Sequence, residues 1–86
     1  MGYILRTVWD IVNVVVEIET RLSGLGARIR AAREERGETQ AAVATAVGIH
    51  RTDLSQIENG RTNITMSTLY RLADHLQVPA AEFVPD

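Results

Sequence analysis

Residues 40–59 read QAAVATAVGIHRTDLSQIEN, and the fold turns on this stretch. Gln40–Val47 is Ala-rich, with Val43, Ala44 and Val47 at helical spacing, and Thr39 stands where an N-cap belongs. Gly48 tolerates positive φ, so it can end that helix and turn the chain sharply. From His50 to Asn59 a second helix directs Leu54 and Ile57 inward and leaves its polar residues outside. Two helices joined by so short a turn cross at ~90–120° and need a small residue where they touch, which Ala44 supplies. Val43, Val47, Ile49, Leu54 and Ile57 then fill the angle between them.

On the N-terminal side, Leu25, Ile29 and Ala32 recur at helical spacing and Gly37 is a natural stop. On the C-terminal side, Gly60 closes the second helix. Thr65 can cap a further helix whose Leu69, Leu72, Ala73 and Leu76 form one stripe, and a short helical turn after Pro79 brings Phe83 onto the core. No stretch after Gly24 alternates like a strand. The expected fold is all-α, a five-helix domain over residues 23–86, with Gly24 and Gly26 marking its boundary with an additional N-terminal segment.

Residues 1–22 form that extension and admit two readings. Ile4, Val8, Ile11, Val15, Ile18 and Leu22 follow the alternating four-three spacing of a heptad seam, and Thr7 with Asp10 resembles a capping box. Val12, Val14, Val16 and Ile18 also alternate with Asn13, Glu17 and Glu19, as in a strand. Length favours the helix. Either form exposes more apolar surface than a small domain can cover, so the segment packs on its own domain or pairs with a second subunit.

Eighty-six residues, 45% hydrophobic and 23% charged, make one globular domain. There is no cysteine, which excludes disulfides, thiolate catalysis and Cys-ligated zinc. His50 and His75 stand apart with no carboxylate cluster between them, so no metal site is expected. Nor is there a nucleophile triad or a phosphate-binding glycine loop, so we expect no enzyme and no cofactor. Asp10, Asn13, Glu17 and Glu19 break the N-terminal apolar run below the ~18–20 residues of a membrane span, and signal-peptide features are lacking. The expected location is the cytoplasm.

A net charge of −2 seems to argue against nucleic acid, but the charge is unevenly placed. Residues 23–61 carry six arginines and sum to +1, whereas the flanks sum to −1 and −2. Every basic residue is Arg, whose planar fork suits phosphate and guanine. What a DNA reader needs is a positive face, not a positive total.

The runs LGARIRAAREERGETQ (25–40), AVATAVGIHRTDLSQIENGR (42–61) and TLYRLADHLQVPAAEF (68–83) closely resemble the lambda-repressor/Cro-like helix-turn-helix family, also called Xre. HRTDLSQIENGRTNIT (50–65) is further similar to the controller proteins of restriction–modification systems within that group. The first 22 residues lie outside the family's pattern.

The resemblance implies that the helix 50–59 enters the major groove with its N-terminal part against base edges. Arg51 would read guanine, Gln56 adenine, and Thr52 and Ser55 would make shorter contacts. His50 is first a helix-start residue and second a contact. Gln40 resembles the family's glutamine, which binds phosphate and braces the reading helix; Thr39, Asn59, Arg61, Thr62 and Asn63 are the further phosphate contacts. Arg33 and Glu58 fall where the family forms an internal ion pair. His75 and the Glu34–Glu35 pair read as ordinary boundary and solvated residues.

The expected function is sequence-specific recognition of double-stranded DNA by a transcription regulator. It would act as a homodimer on a palindromic operator, because one such domain reads too few base pairs. The alternative is an antitoxin-like interaction module whose residues 1–22 bind a partner protein.

Overall fold

The computed structural model describes residues 7–85. It comprises α1 (Val8–Glu35), α2 (Gln40–Val47), α3 (Arg51–Glu58) and α4 (Met66–Leu76), followed by a 3-10 turn (Ala80–Glu82). The all-α expectation holds, with four α-helices and a 3-10 turn in place of five helices. No strand occurs among the described residues.

The helix ends follow the local chemistry. Thr39 Oγ1 accepts from the Ala42 N–H at 3.1 Å, and Thr65 Oγ1 accepts from the Thr68 N–H at 3.2 Å. Each satisfies an N–H group that the helix itself leaves unpaired. Gly48, at φ 78°, ends α2 in the left-handed conformation, which costs glycine little. Thr7 and Asp10 close a reciprocal capping box at the start of α1.

The expected break at Gly24–Gly26 is absent: α1 is one 28-residue helix running through both glycines. At ~1.5 Å per residue it is about 42 Å long, nearly the whole 46 Å long axis of the molecule. Residues 8–22 are therefore helical rather than extended, while Ile4 of the heptad seam lies outside the described residues. Gly26 serves packing here. A Cβ on it would sit 2.2 Å from the Ile57 carbonyl oxygen and 2.7 Å from that of Glu58, so α1 and α3 touch backbone to backbone.

The core is one cluster built from all four helices. Ile29, Val43, Leu54, Leu72 and Phe83 are its largest fully buried side chains, and Leu25, Ala44, Val47, Ile57, Leu69, Ala73 and Leu76 complete it. Ile49 packs against it, partly buried. α2 packs on both α3 and α4, α1 packs on α3, and the 3-10 turn closes against α4. The outer half of α1 takes no part: residues 11–21 are all exposed.

Candidate nucleic-acid interface

α3 buries Leu54, Ile57 and Glu58 and turns its other side outward. His50, Arg51, Thr52, Gln56 and Asn59 are exposed, and Ser55 is half-buried. Residues 51, 52, 55, 56 and 59 lie on one face of a 3.6-residue helix, so the structure brings the expected base-contacting residues onto one surface. His50 is the N-cap residue of α3 but makes no side-chain capping bond. Asp53, the one acidic residue in the helix's first turn, lines a groove with Ile49, Thr62, Ile64 and Thr65 instead.

Beneath this face lies a buried polar network. Arg33 Nε and Nη2 donate to the two Glu58 carboxylate oxygens at 2.8 and 3.0 Å. Gln40 Nε2 donates to Glu58 Oε1 at 3.0 Å, and Arg33 Nη1 donates to the Glu38 carbonyl at 2.9 Å. The hydrogen bond to Glu58 is the first cause of a raised Arg33 pKa. One carboxylate at the end of α3 thus ties together α1 and the start of α2, and Arg33 extends the network to the α1–α2 turn. Gln40 braces the helix through its amide nitrogen.

Past α3, the Gly60 N–H donates to the Ile57 carbonyl and the Arg61 N–H to that of Gln56. Gly60 has a φ of 68°, and a Cβ there would meet the Ser23 backbone at 2.6 Å. Asn59 Nδ2 donates to the Ser55 carbonyl at 2.8 Å, which turns its amide back onto the helix end. Thr62 Oγ1 donates weakly to the Asn63 carbonyl. Arg61, Thr62 and Asn63 line a groove of about 460 Å³ against Glu19 and Ser23 of α1. Thr39 and Gln40 stand apart from that groove, at the start of α2.

Two further supports lie on α4: Arg71, which no sequence pattern marks, and His75, expected as an ordinary boundary residue. Arg71 Nη1 on α4 donates to the Val47 carbonyl at 2.8 Å, satisfying the last turn of α2 beside Gly48. His75 Nε2 lies 2.9 and 3.2 Å from the two Glu38 oxygens, tying α4 to the α1–α2 turn. Neither donor stands near its acceptor in sequence, so no local pattern announces the pairs.

The hydrogen bonds from His75 and then Arg36 hold the Glu38 carboxyl below the ordinary carboxylate range. A depressed folded-state pKa adds stability above the unfolded value, and the gain is lost as pH falls through the folded value. Replacing His75 with alanine should raise the Glu38 midpoint in a carboxyl-carbon NMR titration. An unmoved midpoint would show that Arg36 alone sets it.

The arginines divide sharply. Of the eight in the described residues, Arg21, Arg30, Arg33 and Arg36 pair with carboxylates. Arg28 donates to the Glu82 and Val84 carbonyls, and Arg71 caps α2. Only Arg51 and Arg61 have no such partner among the described residues. Both are exposed, one at the start of α3 and one just beyond its end.

This is the geometry of a helix-turn-helix protein. Residues 24–84 match the family model described as a helix-turn-helix domain, and the chain belongs to that family. It is 40% identical over 60 residues to y4dJ of Sinorhizobium fredii, an uncharacterized HTH-type transcriptional regulator, covering 70% of this chain and 78% of the relative. It is 38% identical over 61 residues to the HTH-type transcriptional regulator PrpR of Mycobacterium tuberculosis, 71% of this chain but only 13% of that longer protein.

Two solved structures share the fold. The restriction–modification controller protein C.AhdI from Aeromonas hydrophila superposes with a TM-score of 0.70 at 27% identity, covering 72% of this chain and 94% of that one. SinR, a master regulator for biofilm formation solved in complex with DNA, superposes with a TM-score of 0.65 at 30% identity, covering 69% and 95%. The lambda-repressor/Cro-like resemblance is upheld, and a restriction–modification controller protein is among the structures that share the fold. Among the described residues, no helix is long and apolar enough to cross a membrane.

Proposed function

We propose that this protein is a cytoplasmic transcription regulator that binds double-stranded DNA as a homodimer and reads a palindromic operator through α3. The observation that carries the reading is the division of the arginines: among the described residues, the two without a carboxylate or carbonyl partner bracket α3, whose outer face is polar and open. Similarity to regulators, one of them solved on DNA, supports the same conclusion.

Arg51, Thr52, Ser55 and Gln56 face the base edges, with His50 at the entry. Arg61, Thr62, Asn63 and Asn59 hold the backbone on one side of α3. Thr39 and Gln40 hold it on the other, where the first N–H groups of α2 favour an anion. Gln40 then has two tasks, to bind phosphate and to keep Glu58, and hence α3, in place. No enzymatic step enters this account.

Base readers and backbone clamps differ in what their loss does. Arg51→Ala should relax preference at one position per half-site, at a cost of about 1–3 kcal/mol on the preferred base. Gln40→Ala should weaken all sequences alike and leave the preference intact. Titrations against a panel of single-base operator variants separate the two, and a uniform loss in both mutants would contradict the assignment.

A further inference from the structure

We propose that the outer half of α1, residues 8–22, is the surface on which a second copy of this chain docks, through a helix seam that the domain continues as its own core. The proposal rests on the homodimeric reading above and supplies its interface.

The seam is continuous. Val8, Ile11, Val15, Ile18, Leu22, Leu25, Ile29 and Ala32 follow one another at spacings of three and four along a single unbroken helix. The inner part of this stripe is covered by the rest of the chain: Ile29 is fully buried and Leu25 is 9% exposed. Leu22 is half-buried, whereas Ile18, Val15, Ile11 and Val8 are 50, 48, 52 and 75% exposed. The domain stops and the stripe does not, so what α3 and α4 supply to the inner half must come from another molecule for the outer half.

Trp9, Val12 and Val16 widen the stripe, and all three are exposed. At ~100° per residue the apolar arc spans roughly 180°, wider than the ~100° stripe one packed helix covers. A partner helix takes the seam, and further surface of the same partner takes the second row. Along ~15 residues this arc offers roughly 500 Å² per copy by helix dimensions. Two copies reach about 1,000 Å², the threshold of a specific interface.

Charge selects the class of occupant. The polar side of the same segment carries Asp10 and Glu17 against Arg21, and Glu19, which falls within the apolar arc near its inner end, lines the groove with Arg61. A helix that lies on anionic lipid carries Lys and Arg on its polar side, and phosphate would be repelled by this one. The occupant is protein, and the DNA reading already calls for a second copy of this one.

The test uses the full chain and substitutions that a free monomer tolerates, since the altered residues face solvent. Sedimentation equilibrium of the wild type should give twice the 9.5 kDa chain mass. Val15→Glu and Ile18→Glu should give the chain mass with unchanged helical circular dichroism, the dimer constant weakening at least 100-fold. Asn13→Glu, on the polar edge, should remain dimeric. On DNA, both seam variants should hold a single half-site as the wild type does and lose cooperative filling of a palindrome.

A monomeric wild type, or a Val15→Glu chain that remains a dimer, overturns the proposal. If Tyr70→Glu then separates that dimer, the interface belongs to the exposed patch of Met66, Tyr70 and Val84 instead. Failure of the DNA reading looks different: no variant, nor the wild type, would bind any duplex, while the masses still shift as stated.

Discussion

Replacing Glu58 with alanine is expected to cost about 3–5 kcal/mol of folding stability, the effect of breaking a buried ion pair by removing one partner. The Glu58 side chain is 1% exposed and that of Arg33 is 10% exposed, so water cannot readily take over the lost contacts. Without the carboxylate, the Arg33 guanidinium and the Gln40 amide lose their shared acceptor inside the fold. A small domain has only ~5–15 kcal/mol in total, so most of the margin is at stake. Pairing Glu58→Leu with Arg33→Met should recover much of it, because an apolar pair of similar volume needs no hydrogen bonds. Urea midpoints measure both; a loss below about 1 kcal/mol for Glu58→Ala would match a solvated surface pair instead.

The second large effect reverses a propensity rule. Alanine in place of a mid-helix glycine ordinarily gains ~1 kcal/mol, so Gly26→Ala should stabilise α1 if local preference decided. Its Cβ, however, would stand 2.2 Å from a backbone oxygen of α3, and backbone cannot swing aside as a flexible side chain can. A net loss of about 2–3 kcal/mol is expected, in the range of overpacked cores. Binding should fall with it, because the helix displaced is α3. Gly24→Ala is the control, since its Cβ would meet only the Pro85 side chain at 3.3 Å; it should be neutral or slightly stabilising. A stabilised Gly26→Ala would show that α1 and α3 can separate at no cost.

These two positions also show where the sequence was readable. The fold followed from local signals: Thr39 and Thr65 as caps, Gly48 as the turn, and the stripe Leu69, Leu72, Ala73 and Leu76. Arg33 and Glu58 were suggested by family resemblance, and the structure pairs them across 25 positions. Gly24 and Gly26 do not interrupt α1, and a glycine that ends a helix and one that admits a second backbone look alike in one sequence. Only the tertiary contact with Ile57 and Glu58 separates the cases. Arg71 carries no local signal and His75 reads as an ordinary boundary residue for a related reason: each acts on a carbonyl or carboxylate that only folding brings near. The exposed face of α3 was legible as a set of residues. That Arg51 and Arg61 alone lack such a partner among the described residues needed the partners of the other six arginines described.

The proposed function requires that the open face of α3 read a two-fold DNA site. Selection of the full-length protein on a random duplex library, at moderate salt, tests it most directly. Enrichment of a palindrome whose half-sites lie about 10 bp apart, one helical turn, is expected. A folded protein that enriches no sequence, or only a single unpaired half-site, would contradict the proposed function.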